Sequence, residues 1–217
     1  MSISVITVGG QSVNLVSLPT SPGLRSVEFD FSDAVAIVTS SFTGQVQAQQ
    51  WPGADMWSGT MTLPPLTQVQ ADDWIAFLMQ MRGMANAIQI GDPMKAAPRG
   101  SVAGTPLVDN SVTLGNAAMG QAIGTKGWTA SHAGVLRRGD YIQTGYRWHR
   151  VLDDVDSDSS GKALIPIWPS LREIPTDSSA IVTSNTKGLF RLAQNKRTWS
   201  SDVTRLTRMS FQLMEYR

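Results

Sequence analysis

No cysteine occurs anywhere in the 217 residues, which excludes a disulfide framework and any thiolate metal site. Charge is scarce as well: Asp, Glu, Lys and Arg make up 16% of the chain, against roughly 25% in typical globular domains. So little charge suits a surface that partners cover. There is no run of 18 apolar residues, and the opening MSISVITVGG has no basic segment leading into an apolar one. The reading is of a protein made and kept soluble, with no membrane-spanning segment. Only two histidines are present, His132 and His149. Neither has a second His or a carboxylate at a spacing that suits a metal triad or a catalytic base with its orienter. His149, between Trp148 and Arg150, reads as an ordinary residue on a strand surface.

The charge that is present is unevenly placed. Residues 1–92 carry two Arg against seven acidic residues, or −5; residues 93–182 are close to neutral at +1; residues 183–217 carry seven Lys/Arg against two acidic residues, or +5. Opposite charge at the two ends favours their close approach. Residues 1–92 and 183–217 are therefore expected to form one unit, with residues 93–182 inserted as a second. A net charge of +1 gives no reason to expect nucleic-acid or membrane binding by bulk electrostatics.

The N-terminal segments ISVITVGG, SVNLVSLP, LRSVEFDF and AVAIVTSSFTGQVQAQQW are rich in Val, Ile, Thr and Phe and broken by Gly, Pro and Ser, as strands are. In WSGTMTLPPLTQVQADDWIAFLMQMRG a strand runs to Pro64 and Pro65, which lack the amide donors a sheet ladder needs. Thr67 with Gln70 then forms a capping-box pattern. Ala71, Trp74, Ile75, Leu78 and Met81 recur at helical steps up to Gly83, so a helix over about 67–82 is expected to pack on the sheet. The insert, with DYIQTGYRWHRVLDDV as a hairpin turning near Gly145 and KALIPIWPSL as a further strand, reads as a small β-rich domain. TRLTRMSFQLMEY has Leu206, Met209, Phe211 and Leu213 mainly at alternate positions, a closing strand with one buried face. The fold class is mainly β, a sandwich or barrel with one helix and an inserted β-domain.

Motifs for chemistry are weak. Asp154, Asp156 and Asp158 alternate as in a calcium loop, but Ser159 and Ile165 stand where such a loop needs Gly and Glu; a solvated turn is the simpler reading. GQAIGTKG has the wrong spacing between Gly120, Gly124 and Lys126 for a phosphate loop and reads as a flexible loop. Glycoside hydrolysis needs two carboxylates held in a groove, whereas a polar turn would leave those of DDVDSD solvated. No enzymatic activity and no cofactor is expected. Trp128, Trp148 and Trp168 admit two readings: the core of the inserted domain, or a face that stacks on host sugars. The loop from Trp51 to Trp57 and the pair Arg137/Arg138 are the candidate interface residues, because aromatic and guanidinium groups anchor protein contacts.

The order of strands, then WSGTMTLPPLTQVQADDWIAFLMQMRGMANAIQIGDP, an insert, and a last strand MSFQLMEY resembles the distal tail proteins of long-tailed bacteriophages and gene transfer particles. The likeness is architectural, covers most of the chain and is strongest over 57–93 and 203–217. It implies a structural virion protein at the tail tip, made in the host bacterial cytoplasm. Its subunits would form a ring, commonly a hexamer, that joins the tail tube protein to tip or baseplate hub proteins and lets DNA pass without sequence-specific binding. The −5 segment would then contribute the inner wall and the +5 segment would face neighbours. The alternative is a carbohydrate-binding adhesion module using Trp128, Trp148 and Trp168.

Overall fold

The structure, a computed structural model, describes residues 2–111, 116–201 and 206–217; residues 203–205, at the start of the second stretch of likeness, lie outside these. The protein is mainly β with one α-helix, as its sequence pattern predicts. A hairpin of β1 (Ile3–Val8) and β2 (Gln11–Val16) is followed by β3 (Ser26–Ser32), a second hairpin of β4 (Val35–Thr39) and β5 (Val46–Gln50), and β6 (Met56–Thr62). Helix α1 (Gln68–Gln80) and β7 (Ile88–Ile90) come next. The middle of the chain holds β8 (Gly104–Val108), β9 (Ala122–Trp128), β10 (Tyr141–Thr144), β11 (Arg147–Val151), β12 (Ala163–Trp168) and β13 (Ile181–Val182). Then follow β14 (Gly188–Leu192), β15 (Ser200–Ser201), β16 (Thr207–Arg208) and β17 (Ser210–Glu215).

Two compact units result: Met1–Asp30, Trp57–Asp92 and Lys187–Arg217 form the first, and Phe31–Met56 with Pro93–Thr186 the second. This division differs from the expected boundaries mainly at residues 31–56, which the charge balance assigns to the first unit. Three bonds draw them to the second: Trp168 Nε1 donates to Asp33, Ser170 to Asp55, and Arg172 to the carbonyl of Gly53.

In the first unit, a five-stranded sheet runs in the order β3, β6, β17, β14, β7. β17 pairs antiparallel with β6, Phe211 opposite Met61 and Leu213 opposite Gly59, so alternate side chains share one inward face. Glycine is required at position 59, because a Cβ there would lie 2.5 Å from the carbonyl oxygen of Glu28 on β3. Helix α1 covers the inward face. Gln70 accepts hydrogen bonds from the Thr67 amide (3.1 Å) and hydroxyl (3.0 Å) at its start, and Gly83 turns out of it at φ +65°. Its buried side chains are Ala71, Trp74, Phe77 and Leu78, with Met81 just beyond. Trp74 and Phe77 lie 5.6 Å apart and both meet the ring of Phe211 at 6.2 and 6.4 Å. Phe77 holds the place that the helical pattern gives to Ile75, which is only half-buried.

In the second unit, six strands run in the order β13, β10, β11, β12, β9, β8. The sheet curls until its ends meet: the Val108 amide donates to Ser179 O (2.9 Å), and Ser178 N donates back to Val108 O (3.0 Å). Only a few strands are needed for such near-closure because a twisted sheet that bonds edge to edge buries one continuous interior. That interior holds Val108, Ile123, Trp128, Ile142, Val151, Ile165 and Ile167.

Candidate interaction surfaces

Hairpin β4–β5 forms an arm on the second unit. Its strands pair in register from Val35 opposite Gln50 to Thr39 opposite Val46. The turn is closed by Ser40 and Gln45, with Gly44 at φ +69°. Directly opposed residues share a face, so Val35, Ile37, Val46 and Ala48 lie on one side and Val38, Gln47 and Gln49 on the other. No residue between Asp33 and Asp55 carries a charge. Yet Ile37 and Val46 are about two-thirds exposed and Phe42, at the tip, is 98% exposed. Exposed ribbons of monomeric proteins usually carry charge that blocks edge pairing; this one has none.

The root of the arm is held firmly. Asp55, 3% exposed, accepts from the Ser170 amide (2.6 Å) and hydroxyl (3.0 Å). Arg172 donates through one guanidinium nitrogen to Gly53 O and through the other to Asp55 O (2.6 Å). On the other strand, Trp168 Nε1 donates to Asp33 (2.7 Å), and the Phe31 ring meets Trp168 edge-on at 5.5 Å. Behind this clamp sits His149, whose Nδ1 lies 2.8 Å from Pro169 O. It faces the barrel interior because it pairs with Ile142, which corrects its expected place on a strand surface. Burial, opposed by the Pro169 hydrogen bond, pushes its pKa down to about 4, and the nearby Arg147 and Arg172 push the same way.

Of the candidate interface residues, Trp51 is half-exposed at the arm root. Trp57 is a correction: it is 3% exposed, points into the core of the first unit, and meets Phe29 edge-on. Arg137 and Arg138 are on the surface, paired with Asp154 (2.9 Å) and Asp153 (3.1 Å). The possible glycan platform is also corrected. Trp128 is in the barrel interior with Nε1 on Thr125, and Trp148 is 2% exposed, stacked on Tyr141 at 4.4 Å and bonded to Thr186. Trp168 alone of the three reaches the surface, and its indole is engaged by Asp33 and Phe31.

The acidic run is committed to the backbone. Asp154 accepts from Arg138 N, a bond that together with the Arg137 side chain lowers its pKa. Asp156 caps Gly134 N (2.6 Å), and Asp158 caps Ser160 N and Lys162 N. Among the described residues, no three His, Asp or Glu side chains gather as metal ligands would. GQAIGTKG is no flexible loop: Ala122 onward forms β9, and Lys126 pairs with Asp177 at 3.1 Å. No helix of the described residues is long and apolar enough to cross a membrane. The arm was missed as a surface because its Val and Ile spacing is that of a buried strand; its lack of charge was the available signal. No protein-family model and no curated protein matches the chain.

Proposed function

We propose that this chain is a structural subunit of the tail tip of a long-tailed bacteriophage or related particle, one that closes into a ring between the tail tube and the tip or baseplate proteins. The observation that carries the reading is the charge-free arm, with Ile37, Phe42 and Val46 exposed on a root fixed by Asp55 and Arg172. Apolar surface of this kind is stabilised when a neighbour covers it. A closed ring gives every arm the same neighbour and leaves none over. The work of such a subunit is assembly and conduction, with no bond made or broken. A lumen that draws on the acidic first segment suits the passage of a polyanion, while the basic last segment meets neighbours. The virion tail is its place.

Light scattering of the purified chain, with negative-stain images of the same sample, tests this. Rings of several copies are expected, either alone or on addition of tube protein. A chain that stays monomeric both alone and with its tube partner overturns the reading.

A further inference from the structure

Where β14 ends, the chain runs on beside β17: the Ala193 amide donates to Gln212 O (3.0 Å), and the Gln194 and Gln212 side chains meet at 3.5 Å. Phe211 and Leu213 of β17 point inward, so Ser210 and Gln212 face out, opposite Thr62 and Thr60 of β6. Between this outer face and residues 194–198 is a cleft of about 340 Å³. Its polar lining includes Thr60, Lys196, Arg197, Thr198, Ser210 and Gln212 and, among the described residues, no carboxylate. Ser210 is shared with a second cleft, which adds Arg25 and Arg208. None of these four cations is in an ion pair among the described residues, whereas Lys126, Arg137, Arg138, Arg147 and Lys162 of the second unit each have an acidic partner.

Arg197 differs from the other three. Its Nη1 donates to the carbonyl of Lys196, while Nε and Nη2 are buried and have no hydrogen-bond partner among the described residues. These two nitrogens share the edge of the guanidinium whose N–H bonds run parallel, the edge that holds both oxygens of a carboxylate or phosphate at once. Buried donors left unmet are rare in native folds and point to a partner that the chain itself does not supply. Burial holds the pKa of Arg197 below the usual arginine value, and no acid among the described residues opposes it. The residue as a whole is half-buried, so a turn of its long side chain brings that edge to the cleft.

We propose that this cleft is a recognition site for the carboxylate of an acidic polypeptide, with Arg197 holding both oxygens through Nε and Nη2 and Lys196 adding a second positive charge. The hydroxyls of Thr60, Thr198 and Ser210 are further donors. The cleft has room for one side chain and its donors are recessed, so a slender Asp or Glu reaches them where the phosphates of a wide duplex do not. A net charge of +1 also gives polyanions no general attraction to the chain. The inference goes beyond the assembly reading, because it holds for a single chain whether or not rings form.

The purified full chain is titrated with a capped tetraglutamate peptide, with inorganic phosphate and with single-stranded oligothymidine. Binding is followed by calorimetry and by the side-chain Nε–H NMR signal of Arg197, assigned by its loss in Arg197→Gln. The peptide should bind and shift that signal. Arg197→Gln should weaken binding by about tenfold or more, and Arg197→Lys, which keeps the charge but not the fork, should recover little of it. Removing an unpaired buried charge should leave the melting temperature of Arg197→Gln no lower than the parent's, and the peptide should raise that temperature in the parent alone. Lys95→Gln, on the second unit, should bind as the parent does. Binding that survives Arg197→Gln, that Lys95→Gln weakens equally, or that Arg197→Lys restores in full overturns the proposal. So does a preference for phosphate or oligothymidine over the peptide, and so does a lack of binding at millimolar peptide.

Discussion

His149 and Asp55 hold one peptide unit from opposite sides. The ring Nδ1 of His149 lies 2.8 Å from the carbonyl oxygen of Pro169, and the next amide, that of Ser170, donates to the Asp55 carboxylate at 2.6 Å. A carbonyl can only accept, so Nδ1 carries the proton in the neutral ring and Nε2 is left as a lone pair. Nε2 is buried and has no hydrogen-bond partner among the described residues. A second proton would therefore place a charge where nothing solvates it.

Stability should fall on acidification for this reason. The His149 pKa is near 4 in the folded protein against 6.5 for an ordinary histidine, so between these values the unfolded chain binds the extra proton. Its contribution is complete above pH 6.5 and is lost as pH falls toward 4, at a cost of about 3 kcal/mol. Urea midpoints at pH 7, 5.5 and 4 measure it. His149→Gln, which cannot titrate, should flatten this part of the profile; an unchanged slope would assign it to other groups.

Asp55→Ala should loosen the arm more than it loosens the fold. The substitution leaves the Ser170 amide and hydroxyl without their acceptor in a buried place, a loss of about 2–3 kcal/mol. Limited proteolysis should show new cleavage around 51–56 while the barrel core stays protected. Equal resistance of the variant and the parent would show that Arg172 and the Trp168 contacts with Asp33 and Phe31 fix the root without Asp55.

Asp140 has a comparable role on the barrel. Its carboxylate, 2% exposed, accepts from three backbone amides: Arg99 (2.7 Å), Gly100 (3.0 Å) and Arg137 (2.8 Å). Asp140→Ala should cost about 3 kcal/mol by leaving these donors unmet. Hydrogen exchange at residues 99, 100 and 137 reports it directly, as amides that are slow in the parent should become fast.

Helix α1 offers a contrast between faces. Phe77→Ala opens a cavity beside Trp74 and Phe211 and should cost about 3–5 kcal/mol. Met79, two residues on and 63% exposed, should tolerate Ser within about 0.5 kcal/mol. Thermal melts of both variants decide whether the helix buries the face described.

How much of this was legible beforehand follows from where each signal resides. Helix α1 could be placed because Pro64, Pro65, Thr67, Gln70 and Gly83 each act through local chemistry, which sequence displays. One member of its buried face was misread, Ile75 in place of Phe77, because the sheet beneath decides which side of a helix is covered. The arm was harder. AVAIVTSSFTGQVQAQQW has strand propensity whether it joins a sheet or stands apart, and only the bonds from Asp33, Asp55 and Arg172 decide that. Trp51 and Trp57 are six residues apart and differ in exposure because β6 turns Trp57 into the core of the first unit, against Phe29. The inward face of His149 depends on its register with Ile142, which pairing across the hairpin sets and flanking residues do not.

Strand β17 lies between β6 and β14 in the middle of its sheet, and its partner on β6 precedes it by well over a hundred positions. During synthesis the barrel strands, all within residues 104–182, can pair as soon as they leave the ribosome. Met61 and the inner face of α1 lack their partners Phe211 and Leu213 at that stage. They must wait for residues 210–215 to emerge, so the part of the chain translated first is the part that finishes folding last.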